Sequence, residues 1–265
     1  MIIFGGTKGI GYRLAAYYNK HRFKVSVAGR HPVCEGPSAG MNIIKADIVN
    51  EGDVEAVFKG HLKRWGQAPH AVINCAAIQG PIGNSWEISA KEFEKTLKIN
   101  LLGSFVVAKA SIQRMIPEGR GSIIMLSGGG SAFGRPHFNA YAASKTGLLR
   151  MVETMAEELK TAGYADIIIN AVAPGAVKTG MTAEILKAGL RAGKRSFDEA
   201  KQVTDHGGTP EDQIIDLVNF LIDLPMNHGL TGRLIHVRED YRRWIKKHAN
   251  KIPDEAGKIR RVPIQ

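Results

Sequence analysis

The sequence predicts an α/β fold: a three-layer, doubly wound parallel sheet in a single domain. Short apolar or alternating runs are followed by longer segments of helical periodicity along the whole chain, which is typical of βαβ units. No linker or internal repeat interrupts this alternation in the 265 residues, so we expect one domain. The hydrophobic fraction of 44% and the charged fraction of 23% are typical of a globular protein.

The predicted strands are short runs bounded by glycine, proline, aspartate or asparagine. They cover residues 1–4, 24–28, 42–45, 71–74, 122–126, 167–172 and 233–237. The first is short for a central strand, which indicates a late start or a compensated terminus. Parallel strands need crossover helices on both faces of the sheet, and ligands of such sheets bind beyond the carboxyl ends of the strands.

The predicted helices repeat apolar residues on one face. They cover residues 12–21, 54–65, 93–115, 141–161 and 210–224. Residues 180–206 have helical patches with weak periodicity, and we expect them to form a lid over the substrate. We expect residues 1–240 to form the domain and residues 241–265 to be a basic extension of it.

Cysteine and histidine content excludes several classes of site. Cys34 and Cys75 are too few for a disulfide framework, and the nine histidines have no metal-binding spacing, so no metal is expected. No apolar run is long enough to span a membrane, and the first residues do not resemble a secretory signal. We therefore expect a cytoplasmic protein without a membrane partner.

The net charge of +11 is concentrated near the chain end, where residues 241–265 contribute eight Lys or Arg and two Asp or Glu. No aromatic stacking series or zinc spacing accompanies these charges, so nucleic acid is not an expected partner. Trp244, Ile245 and Ile252 give this tail apolar anchors. We expect it to pack over a neighbouring subunit or the mouth of the substrate site.

A glycine-rich turn follows the first strand with the spacing G-x-x-x-G-x-G. Glycine permits positive φ and lets backbone N–H groups approach a pyrophosphate at a helix N-terminus. A purely structural turn is the alternative interpretation. The residues of this turn expected to bind a dinucleotide are Gly5, Thr7, Lys8, Gly9, Ile10 and Gly11.

The end of the second strand favours NADP(H) over NAD(H). NAD-binding proteins usually carry an acidic residue there, whereas an arginine accommodates the additional phosphate of NADP. Here Arg30 follows the strand, residues 25–32 contain no carboxylate, and Lys8 lies in the glycine turn. The alternative is that both cations are simply exposed.

Tyr141 and Lys145 lie one helical turn apart in the sequence Tyr-Ala-Ala-Ser-Lys. A nearby ammonium favours the phenolate and lowers the pKa of tyrosine from about 10, which makes it usable as a general acid or base. The pair follows the fifth predicted strand, at the same edge of the sheet as the glycine turn. This placement makes the pair a candidate catalytic site.

These motifs together resemble the short-chain dehydrogenase/reductase family, in its compact one-domain branch with a Rossmann-type fold, over residues 1–232. The resemblance implies hydride transfer between NADP(H) and a carbonyl or secondary alcohol. Tyr141 would be the proton donor, Lys145 its partner and ribose ligand, and Asn100 the holder of a connecting water. Further residues implied to bind the cofactor are Asp47, Ile48, Asn74, Ala76, Pro174, Gly175, Val177 and Thr179.

The sequence departs from the family where a serine usually binds the substrate carbonyl, because Gly128 occupies that position. Ser131 or a backbone N–H of the glycine run could replace the hydroxyl, as could Ser127, although strand alternation should point Ser127 to the other face. It is also possible that nothing replaces it. A catalytically weakened NADPH-binding sensor or scaffold is therefore the main alternative function.

A second alternative function is an epimerase or dehydratase of the extended branch. Those proteins are longer and have a separate substrate lobe.

Two further expectations concern partners. The resemblance implies a homodimer or homotetramer built on the helices around Asn100 and Tyr141. Four lid cations form a candidate rim for an anionic substrate, which would be a small carbonyl or alcohol compound; they are Lys187, Arg191, Lys194 and Arg195.

Overall fold

A computed structural model describes residues 1–223, 230–248 and 256–259. Within them, seven parallel strands form one sheet in the order β3-β2-β1-β4-β5-β6-β7, which confirms the predicted doubly wound fold. The strands are β1 (Ile2–Phe4), β2 (Ser26–Gly29), β3 (Asn42–Lys45), β4 (Ala71–Asn74), β5 (Gly121–Leu126), β6 (Ile167–Ala173) and β7 (Leu234–His236).

Helices follow the strands as crossover connections. They are α1 (Gly9–Lys20), α2 (Glu51–Trp65), α3 (Ala90–Leu97), α4 (Gly103–Met115), α5 (Asn139–Thr161), α6 (Gly180–Ala188), α7 (Lys194–His206), α8 (Glu211–Ile222) and α9 (Tyr241–Lys247). A π-helical segment, Lys98–Leu102, joins α3 to α4, and a 3₁₀ turn, Gly189–Ala192, joins α6 to α7.

Alternation along the strands divides the core between the two faces of the sheet. Phe4 on β1 packs with side chains of α2, α4 and α5, whereas its neighbour Ile3 packs with those of α1, α8 and α9. Successive strand residues point to opposite faces, so each buried strand serves both layers. The resulting three-layer sandwich leaves the loops at the carboxyl ends of the strands to form a site.

Two helices differ from their sequence predictions for identifiable reasons. Helix α2 begins three residues early because the Asn50 side chain accepts hydrogen bonds from the backbone N–H groups of Gly52 and Asp53, which caps the helix. The predicted helix over 93–115 begins at Ala90 and is interrupted by the π-helical segment around Asn100. Hydrophobic periodicity does not reveal such a local change of hydrogen-bonding pattern.

The tail packs on its own chain wherever it is described. Tyr241 Oη donates a hydrogen bond of 2.5 Å to Asp216 on α8, and Arg242 pairs with the same carboxylate at 2.6 Å. Ile245 is buried in the core. The predicted apolar anchor Ile252 and the predicted helix end at 224 lie outside the described residues. Asp216 on α8 thus binds the first turn of α9, and packing of the tail over a neighbouring subunit or the substrate mouth stays a prediction.

Among the described residues, no helix is long and apolar enough to cross a membrane. The same residues contain no group of three or more His, Cys, Asp or Glu side chains arranged to hold a metal ion.

A buried histidine makes the stability of this fold sensitive to acid. His61 on α2 is fully buried; its Nδ1 lies 2.8 Å from the hydroxyl of Ser26 on β2, and its Nε2 has no hydrogen-bond partner in the described structure. Burial is the main reason that the pKa of His61 falls to about 3. The folded protein therefore keeps this imidazole neutral where the unfolded chain protonates it.

We predict that the free energy of unfolding falls as pH decreases from 6.5 towards 3, because the unfolded state binds one more proton at His61. One proton corresponds to a slope of about 1.4 kcal/mol per pH unit. His61→Gln should reduce the slope by about that amount between pH 6 and 4.5 in denaturant titrations, whereas a variant of the exposed histidine, His31→Gln, should not. Equal slopes for the His61 variant and the unmodified protein would contradict the assignment.

Candidate active site

The glycine turn after β1 has a backbone geometry that other residues would disrupt. Gly5 has φ +69°, and a Cβ there would lie 2.5 Å from the backbone nitrogen of Ala76, in the loop after β4. A Cβ on Gly11 would lie 2.3 Å from the carbonyl oxygen of Gly5. The turn therefore requires glycine at these positions, and its N–H groups stand at the start of α1.

A carboxylate already occupies this helix N-terminus. The backbone N–H of Gly9 donates a 3.0 Å hydrogen bond to Glu35 Oε1, and the Glu35 N–H donates to the carbonyl of Thr7. The carboxylate is an anionic oxygen ligand at the place where the resemblance puts a cofactor phosphate. Glu35 lies outside the 25–32 window, so its proximity to the turn was not visible in the sequence.

The cations expected near the additional phosphate of NADP are both exposed. Lys8 precedes α1 with an extended backbone, and Arg30 follows β2 directly. Asp47, after β3, is half-buried, and its Oδ1 accepts a hydrogen bond from the Val49 N–H. The Ile48 side chain lies in the core, so only its backbone is available to a ligand.

The loops after β4 and β6 both approach the glycine turn. The buried Asn74 accepts from the Ala76 N–H and donates to Ser104 on α4, which fixes the loop beside Gly5. After β6, Pro174 and Val177 are buried, and Thr179 precedes α6 with its methyl group 3.6 Å from a Cβ built on Gly9. The glycine turn and the β6 loop therefore face each other.

Beneath the β6 loop lies a hydroxyl with no partner. Gly175 has φ +73°, and a Cβ there would lie 2.2 Å from Thr209 Oγ1. This Thr209 hydroxyl is buried without a hydrogen-bond partner in the described residues. A glycine-lined cleft with an unsatisfied polar atom fits a polar ligand such as a dinucleotide.

Tyr141 lies directly against the position of the missing serine. A Cβ built on Gly128 would lie 2.4 Å from the Tyr141 hydroxyl and 3.3 Å from two of its ring carbons. The tyrosine is only 6% exposed. The phenol therefore fills the space that a side chain at Gly128 would need, and the correspondence of Gly128 to the carbonyl-binding position stays a prediction.

The electrostatics of Tyr141 differ from the sequence expectation. Burial raises the pKa of the phenol above its ordinary value, and the cation that opposes this shift is Arg135. Lys145 Nζ is 5.8 Å from the centre of the tyrosine ring and donates a 2.7 Å hydrogen bond to the carbonyl of Leu126. The pKa of Tyr141 is therefore raised, where the sequence predicted that Lys145 lowers it, because desolvation outweighs the opposing charge of Arg135.

Lys145 is itself a perturbed group. Its side chain is 2% exposed, and burial lowers its pKa to about 8, an effect that Cys75 partly opposes. A buried amine with this pKa changes charge near neutral pH. Lys145 lies on α5, and its Nζ is bound at the end of β5. A ligand that binds there would change the charge of this lysine.

Asn100 ties three parts of the site together. Its side chain exchanges two 2.9 Å hydrogen bonds with the backbone of Ile78 and donates to Ser144 Oγ at 3.1 Å. The Asn100 carbonyl accepts from the Ser104 hydroxyl. The π-helical segment places this residue, as π-bulges often do at functional sites.

Neither candidate serine is hydrogen-bonded to Tyr141. The buried Ser127 hydroxyl has no partner within the described structure, and its N–H donates to Val172. Ser131 is buried, and its N–H donates to the carbonyl of Gly128, so that this N–H closes a turn. Their roles in binding a substrate carbonyl remain predictions.

Residues 180–206, the lid segment, pack over Tyr141. Ile185 of α6 and Ala200 of α7 form an apolar cluster with Phe138 and Tyr141. His137 adopts φ +67°, and a Cβ on Gly193, at the start of α7, would lie 2.7 Å from its ring. The lid cations Lys187, Arg191, Lys194 and Arg195 are exposed, and Lys194 pairs with Asp198 at 2.8 Å.

Comparison with known proteins agrees with this geometry. Residues 1–189 match the short chain dehydrogenase family. Momilactone A synthase of Oryza sativa subsp. japonica is 34% identical over 186 residues, which cover 67% of this chain and 66% of that enzyme. The 3-oxoacyl-[acyl-carrier-protein] reductase MabA of Mycobacterium tuberculosis is 28% identical over 89% of this chain and 90% of its own length.

A solved structure of an actinorhodin polyketide ketoreductase variant with NADPH superposes with a TM-score of 0.75. It shares 23% identity, and the match covers 89% of this chain and 95% of that one. At this identity the likeness shows the fold. The family match over most of the chain, together with the sheet order and the glycine turn, shows that the protein belongs to the short-chain dehydrogenase family of oxidoreductases.

Proposed function

We propose that the protein is an NADP(H)-dependent oxidoreductase that interconverts a carbonyl and a secondary alcohol, with Tyr141 as proton donor and acceptor. The observation that carries this proposal is the position of the Tyr141 hydroxyl. It lies against Gly128 at the end of β5, one helical turn from the buried Lys145. The phenol therefore stands beyond the carboxyl ends of the strands, where ligands of such sheets bind.

The bound dinucleotide would supply the hydride, and the protein supplies position and electrostatics. In the reducing direction, the Tyr141 hydroxyl gives its proton to the carbonyl oxygen as the carbonyl carbon accepts the hydride. Lys145 Nζ, held on the Leu126 carbonyl, would return the proton and bind the ribose. Asn100 is hydrogen-bonded to Ile78 and to Ser144, and so connects the loop after β4 to α5.

The cofactor preference rests on charge around the first turn. Lys8 and Arg30 are exposed and available to the additional phosphate of NADP, whereas Glu35 on the Gly9 N–H must be displaced by a phosphate oxygen. The NADPH that accompanies the actinorhodin ketoreductase variant supports the same class of cofactor. We propose NADP(H) on the balance of two cations against one carboxylate.

Exposed apolar side chains near Asn100 bear on the assembly of the protein. Leu102 and Phe105 are 46% and 40% exposed near Asn100, and such apolar residues suit an interface between copies of this chain. We propose a homodimer or homotetramer built on α4 and α5, and a cytoplasmic location.

The main alternative is an NADPH-binding sensor or scaffold, favoured by the absence of a hydroxyl at Gly128. Consumption of NADPH over a panel of small carbonyl compounds distinguishes the two functions. Turnover supports the oxidoreductase, whereas tight NADPH binding without turnover of any compound supports the sensor.

We predict that NADPH binds at least about tenfold more tightly than NADH, the equivalent of about 1.4 kcal/mol from a charge-assisted phosphate contact. Calorimetry with both dinucleotides measures this ratio. Arg30→Ala should reduce the preference, while Lys59→Ala, which removes an exposed cation from α2, should leave it unchanged.

Glu35→Gln separates two roles of the carboxylate at the glycine turn. If Glu35 only competes with a phosphate, the variant binds both dinucleotides more tightly. Weaker binding of NADH alone would mean that Glu35 accepts hydrogen bonds from ribose hydroxyls, and equal NADPH and NADH affinities in the unmodified protein would contradict the NADP(H) proposal.

Tyr141→Phe should abolish measurable turnover and leave the dissociation constant of NADPH within about threefold, since the hydroxyl acts on the reacting carbonyl. Steady-state rates and calorimetry on the same preparation give both quantities. Substantial residual turnover would show that the proton comes from another group.

Gly128→Ser should lower kcat by at least about tenfold, although serine is the usual family residue. Its Cβ would meet the Tyr141 hydroxyl at 2.4 Å, and the phenol is confined by the lid. Gly129→Ser is the matched control, because Gly129 has open space around a built Cβ. A faster Gly128→Ser enzyme would show that the phenol moves aside and that the serine position is functional.

A further inference from the structure

Arg135 places a cation against Phe138, a side chain that packs with Tyr141. It lies in the loop between β5 and α5, with its guanidinium carbon 3.9 Å from the ring centre of Phe138. Phe138 is fully buried and packs with Tyr141 beneath the lid segment. Burial lowers the pKa of Arg135, and the charge interactions that oppose this involve Tyr141 and Glu199.

The glycine run at residues 128–130 leaves space for the Arg135 side chain. Gly130 has φ +93°, and a Cβ there would lie 2.9 Å from the Arg135 Cβ and 3.2 Å from that of Ala142. The Thr146 hydroxyl donates a 3.0 Å hydrogen bond to the Ser131 carbonyl, which fastens the loop to α5. Side chains at 128 and 130 would thus disturb the phenol and the arginine, respectively.

The Arg135 guanidinium forms no salt bridge within the described part of the chain, although the charge of Glu199 acts on it. Four other arginines form salt bridges there: Arg13, Arg114, Arg150 and Arg242. Arg135 is half-buried yet forms neither a salt bridge nor a side-chain hydrogen bond with described residues. A partly desolvated cation with unused donors is a recognition group for an anion.

We propose that Arg135 binds the carboxylate of the substrate, and that the substrate is therefore an oxo acid whose carboxylate lies one or two carbons from the reacting carbonyl. This proposal rests on the proposed reduction and deepens it by naming the substrate class. The planar fork of arginine matches a carboxylate in bidentate geometry. A bidentate carboxylate uses two of the five N–H donors, so one of the remaining three is free to donate to the carbonyl oxygen in place of the absent serine hydroxyl.

The reaction then balances as a carbonyl reduction with an unchanged carboxylate. The carbonyl carbon gains the hydride from the reduced nicotinamide, the oxygen gains the Tyr141 proton, and the product is a hydroxy acid. The exposed lid cations are not needed for this contact, because Arg135 stacks on Phe138, which shares an apolar cluster with Tyr141.

Matched acids and esters test the proposal. The unmodified protein should reduce 3-oxobutanoate or 2-oxobutanoate with a kcat/KM at least about tenfold above that of the corresponding methyl ester. Arg135→Gln should lower kcat/KM for the preferred acid by about 30-fold, the effect of one charge-assisted pair, and change that of the ester by less than threefold. Arg135→Lys should give an intermediate loss, since it keeps the charge without the fork.

A variant away from the site controls for general electrostatic attraction. Arg120→Gln removes the same charge from an exposed position before β5 and should leave the acid-to-ester ratio unchanged. If Arg120→Gln and Arg135→Gln lower the acid rate equally, and both losses vanish at high salt, the effect is long-range steering and Arg135 is not the carboxylate ligand.

Binding without turnover separates this proposal from the proposed function. Oxamate and its neutral ethyl ester are titrated calorimetrically with and without NADPH. Tighter binding of oxamate that is lost in Arg135→Gln supports the carboxylate site even if no carbonyl compound is reduced, in which case the oxidoreductase proposal fails alone. Reduction of esters in preference to acids, with unaltered rates in Arg135→Gln, would overturn the carboxylate site and leave the oxidoreductase proposal intact.

Discussion

The close approach of the loops after β1 and β4 is the constraint on which the rest of the site depends. These strands are neighbours in the sheet, but the chain leaves them in opposite directions, towards β2 on one side and β5 on the other. The crevice that opens at such a reversal is the usual ligand site of a doubly wound sheet. A Cβ on Gly5 would lie 2.5 Å from the Ala76 nitrogen, so only glycine lets the first turn approach this loop so closely. The loop after β4 continues to Ile78, whose N–H donates a hydrogen bond to the Asn100 side chain. Asn100 in turn donates to the hydroxyl of Ser144, the residue before Lys145.

Sequence reasoning predicted the parts of the molecule that are encoded locally. The fold class followed from hydrophobic alternation, and the glycine turn and the Tyr141–Lys145 pair followed from spacing at strand ends. The π-helical segment at Asn100 could not be predicted, because it changes one hydrogen-bonding pattern within an otherwise regular apolar periodicity. Local signals did exist for the cap at Asn50, where an asparagine precedes two acidic residues of the first helical turn.

The charges of the site depended on long-range contacts, and there sequence reasoning was least complete. Glu35 reaches Gly9 across 26 positions, and the charge of Glu199 on the lid acts on Arg135, so neither interaction has a spacing signature. The prediction that Lys145 lowers the pKa of Tyr141 counted a nearby charge but not the desolvation of the phenol. Burial is a property of the whole fold, and for a phenol it disfavours the charged form. The sign of the shift was therefore decided by packing that no local pattern contains.

Packing also explains why the cations near Tyr141 form no described salt bridge, whereas the helix N-terminus at the glycine turn binds a carboxylate. Lys145 is satisfied by a backbone carbonyl, and Arg135 stacks on an aromatic ring, so neither is neutralised by a carboxylate within the described residues. Glu35, by contrast, neutralises the helix N-terminus that faces the β6 loop. The protein thus keeps positive charge uncompensated beside Tyr141 and compensated at the glycine turn. An anionic ligand gains most from the first arrangement and must compete at the second. The charge beside Tyr141 and the charge at the glycine turn would therefore determine how tightly the two halves of a charged ligand bind.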